Sequence, residues 1–214
     1  MNFLKLLLSG DSIIARHEGL TEPHINYNLK KLIPNCQIIN TAVSGINSGG
    51  FFASLSDLVF KQEKCDYFIL LIGTNDLATH KQVPLNQFNS NMQLIASSII
   101  WLYPPSKVIF ISPPAVDEEK QLVRDNNLVN KYSQAIDQVA KDYHFSYINL
   151  AQAMIDQGDL SVLCQGRKND GLHFGEAGYK LLAELIYRHL TETRCCVYNS
   201  RENYRKDYRN IENK

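Results

Sequence analysis

The stretch "LLLSGDSIIA", residues 6–15, decides how the chain is read. Leu6, Leu7 and Leu8 make a short apolar run of the kind found in strands buried on both faces. Gly10, Asp11 and Ser12 break the run, and Ile13 and Ile14 resume it. A Gly-Asp-Ser turn at that place either ends a strand and caps the next helix, or aims a hydroxyl at a substrate. So short a match does not decide between the two.

Four further runs resemble the first. Phe3 to Ser9, Gln37 to Thr41, Tyr67 to Gly73, Val108 to Ser112 and Ser146 to Asn149 are the five expected strands. Between them lie helical patterns. Phe88, Met92, Ile95, Ile99 and Leu102 recur at steps of three and four, as do Val129, Tyr132, Ile136, Val139 and Tyr143. Leu181, Leu182, Leu185 and Ile186 make a third stripe. Each stripe reads as a core-facing helix side, and Pro104-Pro105 is expected to end the first helix. Alternating strands and helices predict an α/β fold with a parallel sheet and right-handed crossovers. Ligands gather at the carboxyl ends of such strands, where Ser12 falls.

The chain has 214 residues, 44% hydrophobic and 21% charged, which suits a single domain over residues 1–193. From Arg194 onward the sequence turns polar and Tyr-rich, and residues 194–214 read as a solvated tail. The formal net charge is zero, which gives no electrostatic reason to expect nucleic acid or an anionic membrane as partner. No stretch is long enough to span a bilayer, and the N-terminal run lacks a signal-peptide layout, so the expected compartment is the cytoplasm. Cys36, Cys65, Cys164, Cys195 and Cys196 are odd in number and scattered, unlike a disulfide framework or a zinc site. They read as reduced thiols, with a reactive role for Cys164 the weaker alternative.

A serine nucleophile needs a base, a carboxylate to orient the base, and donors for the oxyanion. "NDGLHFGEAGY", residues 169–179, places Asp170 and His173 three positions apart before the last helix. That spacing can bring the carboxylate to Nδ1 and leave Nε2 for Ser12; it also fits a plain helix-capping turn. His17, His24, His80, His144 and His189 lack an equally placed carboxylate and read as surface residues. "LLIGTNDLA", residues 70–78, carries Asn75, whose amide can donate to an oxyanion or simply shape a turn. "NTAVSGINSGG", residues 40–50, offers the backbone N–H of Gly45, or a flexible connection that Gly49-Gly50 also serves.

Taken in order, Gly-Asp-Ser, a glycine turn after strand two, Gly-x-Asn-Asp after strand three and Asp-x-x-His near the end resemble the SGNH (GDSL-type) hydrolase superfamily over residues 4–190. "SPPAVDE", residues 112–118, and the His173 segment resemble, within it, the isoamyl acetate-hydrolysing esterases. The resemblance implies a three-layer α/β/α flavodoxin-like fold with a five-stranded parallel sheet. It implies a serine esterase in which Ser12 is nucleophile, His173 general base and Asp170 its orienting carboxylate. By the same resemblance Ser12, Gly45 and Asn75 would form the oxyanion hole, and no metal or cofactor would be required. Ala42 stands where the family's second motif usually has glycine.

The expected substrate is a small, short-acyl carboxylic ester. A sugar-ester deacetylase or a thioesterase would use the same groups, and a non-catalytic binding protein is the reading outside enzymes. Nucleotide binding is disfavoured because no Gly-rich phosphate loop follows the first strand. Phe51, Phe52, Leu77 and Pro114 either line an acyl pocket or pack ordinarily. The loop "GDLSVLCQGRKN", residues 158–169, either gates the site or only connects. The oligomeric state is not legible.

Overall fold

The apolar runs become a parallel sheet. In the computed structural model, which describes residues 3–192, β1 spans Leu4–Gly10, β2 Cys36–Asn40, β3 Tyr67–Leu71, β4 Val108–Ile111 and β5 Ser146–Ile148. Every boundary lies within two residues of its sequence expectation. The order is β2-β1-β3-β4-β5, and every neighbouring pair is parallel. Leu8 of β1 stands opposite Asn40 on one side and Ile69 on the other. β3 and β4 are buried along their whole length, and β2 and β5 are partly exposed at the edges. Each fully buried Leu or Ile contributes about 1.5–3 kcal/mol of burial energy, which is why the central strands read as unbroken apolar runs.

The helices are α1 (Ser12–Ala15), α2 (His24–Leu32), α3 (Ser48–Ala53), α4 (Leu85–Ile99), α5 (Asn126–Asp142), α6 (Leu150–Gln157), α7 (Leu160–Leu163) and α8 (176–192). They cover both faces of the sheet, giving the three-layer flavodoxin-like architecture. Chain reversal about β1 puts β2 on one side of it and β3 on the other. The switch point between β1 and β3 is where this topology opens a crevice for ligands.

The helical stripes hold, with differences at their ends. Phe88, Met92, Ile95 and Ile99 are buried on α4. Leu102 lies beyond the helix, which stops at Ile99, ahead of Pro104 and not at it; the Leu102 and Tyr103 N–H groups turn back to the Ile99 carbonyl at 2.9 and 3.0 Å. On α5 Val129, Tyr132, Ile136 and Val139 are buried and Tyr143 caps the C-terminus. Leu182 and Ile186 of α8 are buried, with Leu181 and Leu185 packed against the core from its margin. Gly49 and Gly50 are no flexible connection: they form the first turn of α3, where the Asn47 side chain accepts the Gly50 N–H at 2.9 Å.

His24 is not a surface residue. It is 8% exposed and stacks on Tyr179 with ring centroids 4.6 Å apart, joining α2 to α8. Imidazole faces are apolar enough to pack this way, and burial lowers its pKa from the ordinary value. His189 is half-buried on α8, whereas His17, His80 and His144 are exposed. Residues 194–214, with Cys195 and Cys196, lie outside the described residues. Among the described residues no helix is long and apolar enough to cross a membrane, and no group of three or more His, Cys, Asp or Glu could hold a metal ion.

Candidate active site

The end of β1 is shaped by a steric limit. Gly10 has φ +154°, and a Cβ there would lie 2.3 Å from the Leu71 carbonyl oxygen of β3. Only glycine lets the two strand ends approach so closely. The next residue, Asp11, caps α1: its Oδ1 accepts the Ile13 N–H at 2.9 Å. The capped turn fixes Ser12 as the first helical residue, above the β1–β3 crevice. The capping reading of Gly-Asp-Ser holds, and the same cap sets where the Ser12 hydroxyl lies.

The Ser12 Oγ lies 3.0 Å from His173 Nε2, and His173 Nδ1 lies 2.8 Å from Asp170 Oδ2. An ionised carboxylate only accepts, so Nδ1 carries the proton and Nε2 accepts from the serine hydroxyl. The second Asp170 oxygen accepts the Leu172 and His173 backbone N–H groups at 3.1 and 3.0 Å. Burial works to raise the Asp170 pKa, but the hydrogen bonds from His173 and Leu172 outweigh it and hold the carboxyl below its ordinary range. For His173, burial wins and lowers the pKa, with the Asp170 carboxylate pulling the other way. A neutral imidazole held like this can take a proton from Ser12.

The loop after β4 braces this segment. The Asp117 N–H donates to the Gly171 carbonyl at 2.8 Å, and Gln121 Nε2 to the Asp170 carbonyl at 3.0 Å.

Gly45 occupies the third position of a turn closed by the Ile46 N–H on the Val43 carbonyl at 3.2 Å. Its φ of +85° suits that position. A Cβ there would meet nothing within 4 Å. Asn75 donates one Nδ2 hydrogen to the Ile46 carbonyl at 2.9 Å, so the loops after β2 and β3 are tied together. Asp76 tightens the tie. Its carboxylate accepts the Ser48 N–H at 3.0 Å and the Ser48 hydroxyl at 2.5 Å. Asn91 of α4 donates to the same hydroxyl at 2.8 Å. This network lies in the interior, and burial raises the Asp76 pKa against those donors.

Ser12, Gly45, Asn75, Asp170 and His173, drawn from the two ends of the domain, line one cavity of about 330 Å³. Ser44 and Leu172 complete its wall, with three cations that no sequence motif singles out: Arg16, Arg124 and Lys168. No spacing signal marks Arg124; it is found only because the β4 loop folds over the site. Phe51, Phe52, Leu77 and Pro114 do not line the cavity, and Phe51 and Leu77 are core residues. The loop over 158–169 holds α7 and supplies Lys168 to the cavity wall. Cys164 is 1% exposed, and burial pushes its thiol up to about 12, which removes the thiolate that reactivity requires.

A flavodoxin-like α/β/α domain with a serine, a histidine and an aspartate in contact at the β1 end defines a hydrolase-like class. The chain belongs to the GDSL-like lipase/acylhydrolase family, whose model matches residues 8–181. Among curated proteins it is similar to the GDSL esterase/lipase WDL1 of Oryza sativa subsp. japonica, 32% identical over 140 residues covering 58% of this chain and 53% of that protein. The chain thus spans about half the length of the curated relatives it matches. Among solved structures, the lipase/acylhydrolase from Enterococcus faecalis superposes with a TM-score of 0.75 at 24% identity, covering 88% of this chain and 95% of that one. The acetylxylan esterase Axe2 from Geobacillus stearothermophilus superposes at 0.69 and 19%, covering 87% and 93%. These two likenesses concern the fold.

Proposed function

We propose that the protein is a serine esterase for small, short-acyl carboxylic esters. The observation that carries this is the continuous Ser12–His173–Asp170 hydrogen-bonded line opening on a cavity also lined by Gly45 and Asn75. In the proposed reaction His173 takes the Ser12 proton as Oγ attacks the ester carbonyl. Negative charge passes to the carbonyl oxygen, where the N–H groups of Ser12 and Gly45 and the Asn75 amide receive it; one such donor is typically worth about 3 kcal/mol. The imidazolium protonates the departing alcohol, and a water activated by the same histidine releases the acid. Asp170 stays ionised throughout and holds the imidazole tautomer.

The size of the cavity, about 330 Å³, favours a small substrate. Sugar-ester deacetylation and thioester hydrolysis would run on the same groups. Because the structural neighbour Axe2 is an acetylxylan esterase, an acetylated xylooligosaccharide belongs in the test set. Hydrolysis of 4-nitrophenyl esters from acetate to palmitate, wild type beside Ser12→Ala, tests the reading. Short-chain turnover that disappears in the variant is expected. Folded wild-type protein inert on the series, on the acetylated sugar and on a short thioester would overturn it.

A further inference from the structure

We propose that the site selects esters that carry an oxyanion, a carboxylate or a phosphate, beside the reacting carbonyl, and that Arg124 is the side chain that binds it. This deepens the serine-esterase reading and rests on it. Arg124 is half-buried at the cavity wall. Its Nε donates to the Thr74 carbonyl at 2.8 Å and one terminal nitrogen reaches Gln121 Oε1 at 3.4 Å. A guanidinium has five N–H donors. Arg124 forms no ion pair with a carboxylate among the described residues, and its other donors have no protein acceptor there. The carboxylates that act on it through space, the buried Asp11 and the committed Asp170, make no hydrogen bond to it. A planar fork suited to two-point binding of carboxylate or phosphate, left open on a cavity, is a binding group.

The surroundings agree. Lys168, at the same wall, also lacks a carboxylate partner among the described residues. Arg16 is answered by Glu18, which lies outside the lining. The one acidic side chain in the lining, Asp170, is already committed to His173 and to two backbone N–H groups. In a chain of zero net charge, the cavity is therefore locally positive. Arg16 and Lys168 act electrostatically on His173, and Arg124 on Asp170. Arg16, Arg124 and Lys168 share the cavity wall with Ser12 and His173, so an anion held there lies beside the reacting groups.

The test separates binding from turnover. Calorimetric titration of Ser12→Ala protein with 4-acetoxybenzoate and its neutral partner 4-acetoxybenzamide reads recognition without hydrolysis. The anion is expected to bind at least about tenfold tighter, and adding Arg124→Gln to remove that advantage. In the protein with Ser12 intact, Arg124→Gln should lower the anionic-to-neutral kcat/KM ratio by about tenfold, mainly through KM, with Arg124→Lys restoring part of it. A third ligand, 4-acetoxyphenyl phosphate, tells phosphate from carboxylate by which binds tighter. Equal binding of the anionic and neutral esters, or an equal loss on both when Arg124 is changed, overturns the proposal and leaves Arg124 a brace for the Asp170 loop. The mono-4-methylumbelliferyl ester of adipic acid, with its anion on the acyl half, joins the anionic set in the same comparison. Failure of wild-type protein to hydrolyse the neutral ester would instead count against the esterase reading, and the titration would still be decided.

Discussion

Asp11→Asn turns a fully buried carboxylate beside Ser12 into an uncharged group of the same shape. Asp11 is 0% exposed; its Oδ1 holds the Ile13 N–H, but Oδ2 is buried without a hydrogen-bond partner, as is the neighbouring Thr74 hydroxyl. Burial pushes its pKa from 3.8 up to about 6, with the Asp76 carboxylate adding to the rise and the Ile13 N–H and Arg124 opposing it. A native carboxyl that holds its proton more tightly than the unfolded chain loses stability as pH rises from below 3.8 to above 6. The whole loss is about 3 kcal/mol, and about 2 kcal/mol of it falls between pH 4.5 and 8. Asparagine caps a helix as well as aspartate and carries no charge to desolvate. The stability of Asp11→Asn relative to wild type should therefore rise by about 2 kcal/mol between those two pH values. Urea unfolding of both proteins at each pH measures it, and groups common to both cancel in the difference. A relative stability that stays flat or falls toward pH 8 would refute the reasoning.

Three further outcomes concern the site. The acid limb of kcat/KM should lie below the ordinary histidine pKa of 6.5, because burial lowers His173 and turnover needs its neutral form; a pH–rate profile with the limb at or above that value counts against it. Asp170→Asn should move the limb lower still and cut kcat on the order of 10⁴-fold by freeing the tautomer, with folding intact by circular dichroism. Asp76→Ala orphans the Ser48 N–H and hydroxyl in the interior and should cost about 2–5 kcal/mol in urea unfolding, with kcat reduced in the protein that remains folded; stability within about 0.5 kcal/mol of wild type would show that the tie between the loops is idle.

The strands were legible because a strand covered on both faces has no polar side to interrupt it. Tyr67–Leu71 is buried at all five positions and reads as one apolar run. Asp170 and His173 were legible together because three residues suffice to bring them into contact. What escaped the sequence lacks a local pattern. The short helices α3, α6 and α7 are too brief for a periodic stripe to form. His24 looked solvated because its stacking partner, Tyr179, is distant in the chain and meets it only when α2 and α8 share a face. Phe51 and Leu77 follow strand ends as pocket residues do, yet face the core. Arg124 joins the cavity through a loop whose path no periodicity records.

The ties among Asn75, Ile46, Asp76, Ser48 and Asn91 divide the site into a chassis and bodywork. The loops that bear Gly45 and Asn75 are bonded to each other and to α4, and the loops that carry Arg124 and Lys168 join the site by bonds of their own: Arg124 Nε donates to the Thr74 carbonyl and the Gly166 N–H to the His173 carbonyl. The bodywork is nonetheless welded to the chassis: exchanging residues 113–125 removes Asp117 and Gln121, which hold the Asp170–Gly171 backbone, and exchanging 158–169 removes the Gly166 N–H bond to the His173 carbonyl. A change in what the cavity accepts is therefore better sought by recasting single side chains at its wall, Arg124 or Lys168, than by transplanting the loops that carry them.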